Sequence, residues 1–146
     1  MKFLYLFLFL FSTTIYSQQK EYNTKNGVLA NGYDVVAYFS NKAVKGNKKI
    51  STKYKGVSFL FSSQKNLQLF QKNPVKYIPQ YGGYCAYAIG KTGKKVSINP
   101  KTFEIRNHKL YLFYNSWGTN TLKLWQQENP EKLRKQANKN WKKITN

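Results

Sequence analysis

Two runs of apolar, aromatic and β-branched positions broken by polar ones, residues 50–54 and 57–61, lie on either side of Lys55-Gly56. Two β-rich runs joined by a glycine-containing two-residue turn predict a hairpin. The rhythm then changes. Ser62 or Ser63 can cap a helix, Leu67, Phe70 and Leu69 fall behind it at helical spacing, and Asn73-Pro74 closes it, so a helix is expected over 63–72. Upstream, Asn31-Gly32 is a turn signal, 33–39 is a short and mostly apolar segment, and 41–49 is basic and polar, hence a loop.

The second half follows the same logic. Tyr77-Ile78-Pro79 closes a segment, and Gly82-Gly83 marks a tight turn or a close backbone approach. Residues 85–89 are apolar but too few for periodicity to separate strand from helix. Residues 91–95 read as a basic loop. Strands are expected at 95–98, 102–106 and 109–114, with Asn107-His108 as a hairpin turn. Leu110, Leu112 and Tyr114 alternate with Tyr111 and Phe113, so both faces of that strand are apolar and it should be central in its sheet. Residues 119–127 read as helical. Asn129-Pro130 starts a last helix to about Lys143, with Leu133, Ala137 and Trp141 as its apolar stripe. The sum is a single α+β domain over 31–146, a small antiparallel sheet packed with helices.

The N-terminus departs from this pattern. Met1-Lys2, the apolar run 3–11 and the small polar residues to Ser17 have the layout of a signal peptide cleaved after Ser17. The run is shorter than the roughly 20 residues needed to span a bilayer. Residues 18–30 are expected to be a flexible lead-in. The mature protein would therefore be exported, periplasmic or secreted, and one cysteine in the chain allows no intramolecular disulfide.

The net charge of +20 suggests an anionic partner. It argues less for specific nucleic-acid recognition, because 23 of the 25 basic residues are lysines spread along the chain, and arginine is the residue that reads guanine and phosphate with a planar fork. Attraction to anionic surfaces such as lipid headgroups or phosphorylated glycans, weakening with salt, remains. On the last helix, Lys132, Lys135, Lys139, Lys142 and Lys143 could face such a surface.

Candidate chemistry is sparse. Cys85 lies in Tyr81-Gly82-Gly83-Tyr84-Cys85-Ala86-Tyr87, where a thiol framed by tyrosines is either a small buried residue or part of a pocket. Tyr84 and Tyr87 share a face only if this segment is helical; in a strand Tyr84 faces away from Cys85 and Tyr87. Cysteine catalysis would need His108 as base and Asp34 or Glu104 behind it. A carboxylate pair would have to be Asp34 with Glu104, since Glu21 is in the lead-in and Glu128 and Glu131 flank a helix start. Neither constellation is convincing, so no enzyme is expected. Beyond the leader the chain offers Cys85, His108, five carboxylates and no methionine as metal ligands. A soft-metal site needs two to four converging thiolates or imidazoles. Copper or zinc at Cys85, with His108, is therefore only the alternative to having no cofactor.

Several motifs resemble the exported YHS-domain proteins. Gly32-Tyr33-Asp34-Val35-Val36-Ala37-Tyr38-Phe39 is similar to their opening Gly-Tyr-Asp-Pro-Val-Ala-Tyr-Phe. Phe59-Leu60-Phe61-Ser62-Ser63, Asn66-Leu67, Phe70, Asn73-Pro74, Lys76-Tyr77 and 79–87 resemble the central signature, and 109–112, Tyr114-Asn115, Trp125 and Trp141 the remainder. The resemblance implies a metal-binding lineage. Its metal-binding versions look like Asp-Pro-Val-Cys and Phe-Cys-Ser-x-x-Cys, and those cysteines fall here at Ala37, Ser62 and Asn66. The reading is then a non-enzymatic exported module that has lost these ligands. It would contact a small ligand or envelope partner through Asp34, Tyr81, Tyr84, Cys85 and Tyr87. A cationic envelope-associated interaction protein is the other alternative.

Overall fold

A computed structural model describes residues 21–146; the expected signal peptide lies outside the described residues. Four strands form the first sheet in the order β1 (Thr24–Lys25), β2 (Val28–Leu29), β4 (Val57–Phe61) and β3 (Asn47–Tyr54). The β2–β4 contact is parallel and the other two are antiparallel. β4 shows why the hairpin was legible: Val57, Phe59 and Phe61 are buried and Ser58 and Leu60 less so, the period-two signature of a strand with one buried face.

Helix α1 (Gln64–Lys72) follows directly. The Ser63 side chain accepts from the Asn66 N–H, so Ser63 is the cap. Phe70 is its buried anchor, in tilted ring contact with Phe59 and Phe61 at 4.6 and 5.2 Å between centroids. Each such ring contributes about 1.5–3 kcal/mol by leaving water. The expected stop at Asn73-Pro74 is followed at once by a short helix α2 (Pro74–Tyr77), because proline at N1 starts a turn as readily as it ends one.

Residues 85–89 resolve as helix. α3 runs over Ala86–Thr92 with Cys85 at its N-cap and Gly93 in the left-handed conformation after it. The expected loop at 91–95 therefore begins later. The expected strand at 95–98 is absent: β5 is Asn99–Arg106, and the Val96 carbonyl instead accepts from the Cys85 N–H. Likewise the expected loop at 41–49 ends in strand, since β3 begins at Asn47 and reaches Ser51 through a bulge.

β5 and β6 (Lys109–Phe113) make a two-stranded sheet, so β6 is not the centre of a larger one. Its two apolar faces have another cause. Leu110 and Leu112 join the core formed by Val57, Phe59, Phe61 and Phe70, while Tyr111 and Phe113 join a second core with Ile89, Trp125, Leu133 and Ala137. The strand is a partition, buried on both sides by different layers.

A third small hairpin, β7 (Asn115–Ser116) and β8 (Thr119–Asn120), occupies the start of the segment expected to be helical. Helix α4 begins only at Thr121 and runs to Gln127, capped by the Asn120 side chain on the N–H groups of Leu122 and Lys123. α5 (Pro130–Thr145) is capped by Asn129. It packs tightly on α3 at Gly90, where a Cβ would lie 2.8 Å from the Leu133 carbonyl oxygen. The architecture is α+β as expected, with its strands divided among three sheets. Among the described residues no helix is long and apolar enough to cross a membrane.

The lead-in expected at 18–30 is built into the fold from Glu21 onward. The Asn23 N–H donates to the Gly82 carbonyl at 2.8 Å, and the Asn23 amide donates to the Gly83 carbonyl at 3.1 Å. Its polar composition suggested a free segment, but those polar groups serve as backbone partners.

Candidate functional site

The five residues singled out in sequence do not converge. Asp34 is fully buried in the loop before β3 and accepts five hydrogen bonds. Val36 and Ala37 N–H groups reach Oδ1 at 2.9 and 3.2 Å, an Asx turn. The Ser62 N–H and hydroxyl and the Asn66 amide reach Oδ2 at 2.8, 2.6 and 2.7 Å. Ala37, Ser62 and Asn66, the positions at which the resemblance places cysteines, thus meet in space around one carboxylate.

Cys85 is sealed. It has no exposed surface, and its sulfur lies 3.3 Å from Thr121 Oγ1 and accepts from the Tyr114 N–H at 3.4 Å. The Thr121 hydroxyl donates to the Tyr114 carbonyl at 2.8 Å, which leaves the thiol as donor to Thr121. The closed ring of three bonds pins α3 and α4 to the end of β6. His108 is exposed in the turn at the other end of β6, about 20 Å of strand away. Cys85 and His108 are therefore not one site. Among the described residues no group of three or more His, Cys, Asp or Glu could hold a metal.

Asp34 and Glu104 are each committed elsewhere. Glu104 takes both the Nε and Nη2 groups of Arg106 at 2.9 and 3.0 Å and the Trp125 indole N–H at 3.0 Å. Tyr87 is at the surface, donating to Glu128 at 2.7 Å beside the Lys91–Glu128 ion pair. Hydrogen bonds from Lys91 and then Tyr87 hold the Glu128 carboxyl below its usual range.

Tyr81 is the member that borders a cleft. A hollow of about 480 Å³ lies between the β3–β4 turn, the 3-10 turn Gln80–Gly83 and the last turns of α5. Tyr22, Tyr54, Tyr81 and Trp141 supply aromatic walls, and Lys55 and Lys142 supply cations at its rim. The volume is in the range that holds small ligands. Tyr81 is buried, with its hydroxyl donating to Asn138 at 2.9 Å, and burial drives its pKa far above the normal phenol value. Tyr84 lies behind this wall, its ring 6.2 Å from Trp141 and its hydroxyl donating to the Tyr22 carbonyl at 3.4 Å. Because Tyr84 precedes α3 rather than lying on it, it shares no face with Tyr87.

Gly82 is part of the cleft lining. At φ +59° it brings the chain so close to the segment before β1 that a Cβ would lie 1.8 Å from the Glu21 carbonyl oxygen. This is the close approach that the glycine pair suggested. Sequence reasoning missed Tyr22, Tyr54, Lys55 and Trp141 as site residues. Trp141 falls in the expected apolar stripe of the last helix, and helical spacing gives no sign that it also lines a cleft.

The family model for the YHS domain matches residues 35–81. The chain carries a YHS domain. The match starts one residue after Asp34, includes Ala37, Ser62 and Asn66, and ends at Tyr81. The YHS segment thus contains most of the Asp34 network and one wall of the cleft, while Trp141 and Lys142 come from beyond it. No curated protein and no solved structure matches the chain.

Proposed function

We propose that the protein is a non-enzymatic, exported binding module that holds a small ligand in the cleft lined by Tyr22, Tyr54, Tyr81 and Trp141. The observation that carries this reading is the convergence of four aromatic side chains and two lysines on one hollow of about 480 Å³. Ring faces and edges favour a flat or cyclic ligand, and Lys55 and Lys142, which outnumber the single acid Glu21 in the lining, favour one bearing negative charge. Asn138 and Gln80 add polar groups that could fix its orientation. Export rests on the leader-like pattern of residues 1–17.

The same reading explains the Asp34 network as a replaced metal site. Three thiolates could share a soft cation, whereas one carboxylate with five donors is a self-contained hub. The hub keeps the loop, β4 and α1 in register and leaves ligand contact to the cleft.

A thermal-shift screen with millimolar sugar acids, aromatic carboxylates and nucleotides tests the proposal. At least one class should raise the midpoint of the wild-type protein and fail to do so in Trp141→Ala and Tyr54→Ala. Equal shifts in wild type and both variants would contradict it.

A further inference from the structure

The β7–β8 hairpin carries Trp117 at its tip, and this side chain is 96% exposed. Both turn residues have positive φ, 49° at Trp117 and 75° at Gly118, as a two-residue hairpin requires. The corresponding first positions of the other hairpin turns hold Asn26, Lys55 and Asn107. Asparagine tolerates that conformation, whereas a bulky ring is strained there. The chain thus accepts local strain to put the most exposed large apolar side chain among the described residues at a projecting point.

Exposure this complete also limits what the ring can be for. A tryptophan that serves as a stacking platform lies with one face against the protein, and Trp117 has neither face covered. A ring standing clear on both sides is shaped as a wedge. A second, open hollow beside the hairpin is lined by Ile98, Pro100, Lys101 and Tyr114 together with Trp117 itself. The chain around it carries net charge +20, which opposes docking of a second copy and favours an anionic surface. Tryptophan is the side chain that best occupies the boundary between headgroups and acyl chains, and lysines near an anionic bilayer add attraction.

We propose that the Trp117 hairpin is a membrane-contact device that inserts its indole into the interface of an anionic lipid bilayer, with lysines supplying the long-range attraction. This site is separate from the Tyr81 cleft and does not depend on it.

The full chain would be mixed with vesicles of phosphatidylcholine alone or with an equal share of phosphatidylglycerol, with and without bromine on the acyl chains. The difference spectrum between wild type and Trp117→Phe isolates the emission of Trp117 from Trp125 and Trp141. With anionic vesicles this emission should shift to the blue and be quenched by bromine, and both effects should fade as salt rises. Trp117→Asn suits the turn, so its thermal midpoint should be unchanged or higher, while bromine quenching should fall to the level given by Trp125 and Trp141. The apolar N-terminal run is common to all variants, so the difference reads Trp117 alone. Vesicle binding with Trp117 unshifted and unquenched would overturn the proposal, as would equal quenching on neutral vesicles or no binding at all.

Discussion

Asp34 and Ser62 are joined twice, by the Ser62 N–H at 2.8 Å and by its hydroxyl at 2.6 Å on the same carboxylate oxygen. The pair closes a gap of 28 residues and fixes where β4 hands over to α1. Asp34→Ala would leave several buried donors without an acceptor, each at about 1–3 kcal/mol before relaxation, and should cost about 3–5 kcal/mol in all. Ser62→Ala removes the hydroxyl's bond to Asp34 and the long bond it accepts from the Asn66 amide, keeps the N–H bond, and should cost about 1 kcal/mol. Urea unfolding of the two variants checks both the size and the order.

Gly82→Ala should be far more damaging than Gly27→Ala. Both positions have positive φ, but only at Gly82 would the added carbon meet backbone, whereas nothing lies within 4 Å of it at Gly27. The second variant should lose about 1 kcal/mol from backbone strain alone. The first should displace residues 21–23 and lose the Asn23–Gly82 bond as well. Thermal melts give the ranking, and hydrogen exchange at the Asn23 amide reports the displacement.

Cys85 should resist maleimide in the native protein and react fully in denaturant, because its sulfur is buried and hydrogen bonded. Fast native labelling, measured by mass spectrometry, would contradict the closed ring with Thr121 and Tyr114.

Alkali should unfold the protein. Burial, as the largest cause, raises the pKa of both Tyr38 and Tyr81 far above the normal value. A phenol whose folded pKa exceeds its unfolded value contributes stability that is complete below about pH 10 and is lost as pH rises beyond it. Denaturant midpoints measured from pH 8 to 12 should fall above pH 10, and less steeply in Tyr81→Phe.

Much of the scaffold is legible from residue pattern, because its signals are local. The β3–β4 hairpin shows in Lys55-Gly56 and its β-rich flanks, α1 in the Ser63 cap, and α5 in Asn129-Pro130. β6 was readable as doubly buried but not as a partition, since alternation cannot say which layer lies on each side. The cleft was least legible. Its walls come from Tyr22, Tyr54, Tyr81 and Trp141, and only the path of the chain brings these together. Local pattern also misplaced Asp34 and Tyr87: being near the motif in the resemblance, or near Cys85 in sequence, puts neither at the cleft.

The most direct measurement is an NMR titration that follows the Trp141 indole N–H and the Tyr54 and Tyr81 ring protons while the strongest compound from the screen is added. The account expects these signals to move together and saturably, with Lys55→Ala or Lys142→Ala weakening the ligand about tenfold. Signals that stay still while the compound perturbs another face, or that stay still with every compound tried, would contradict it.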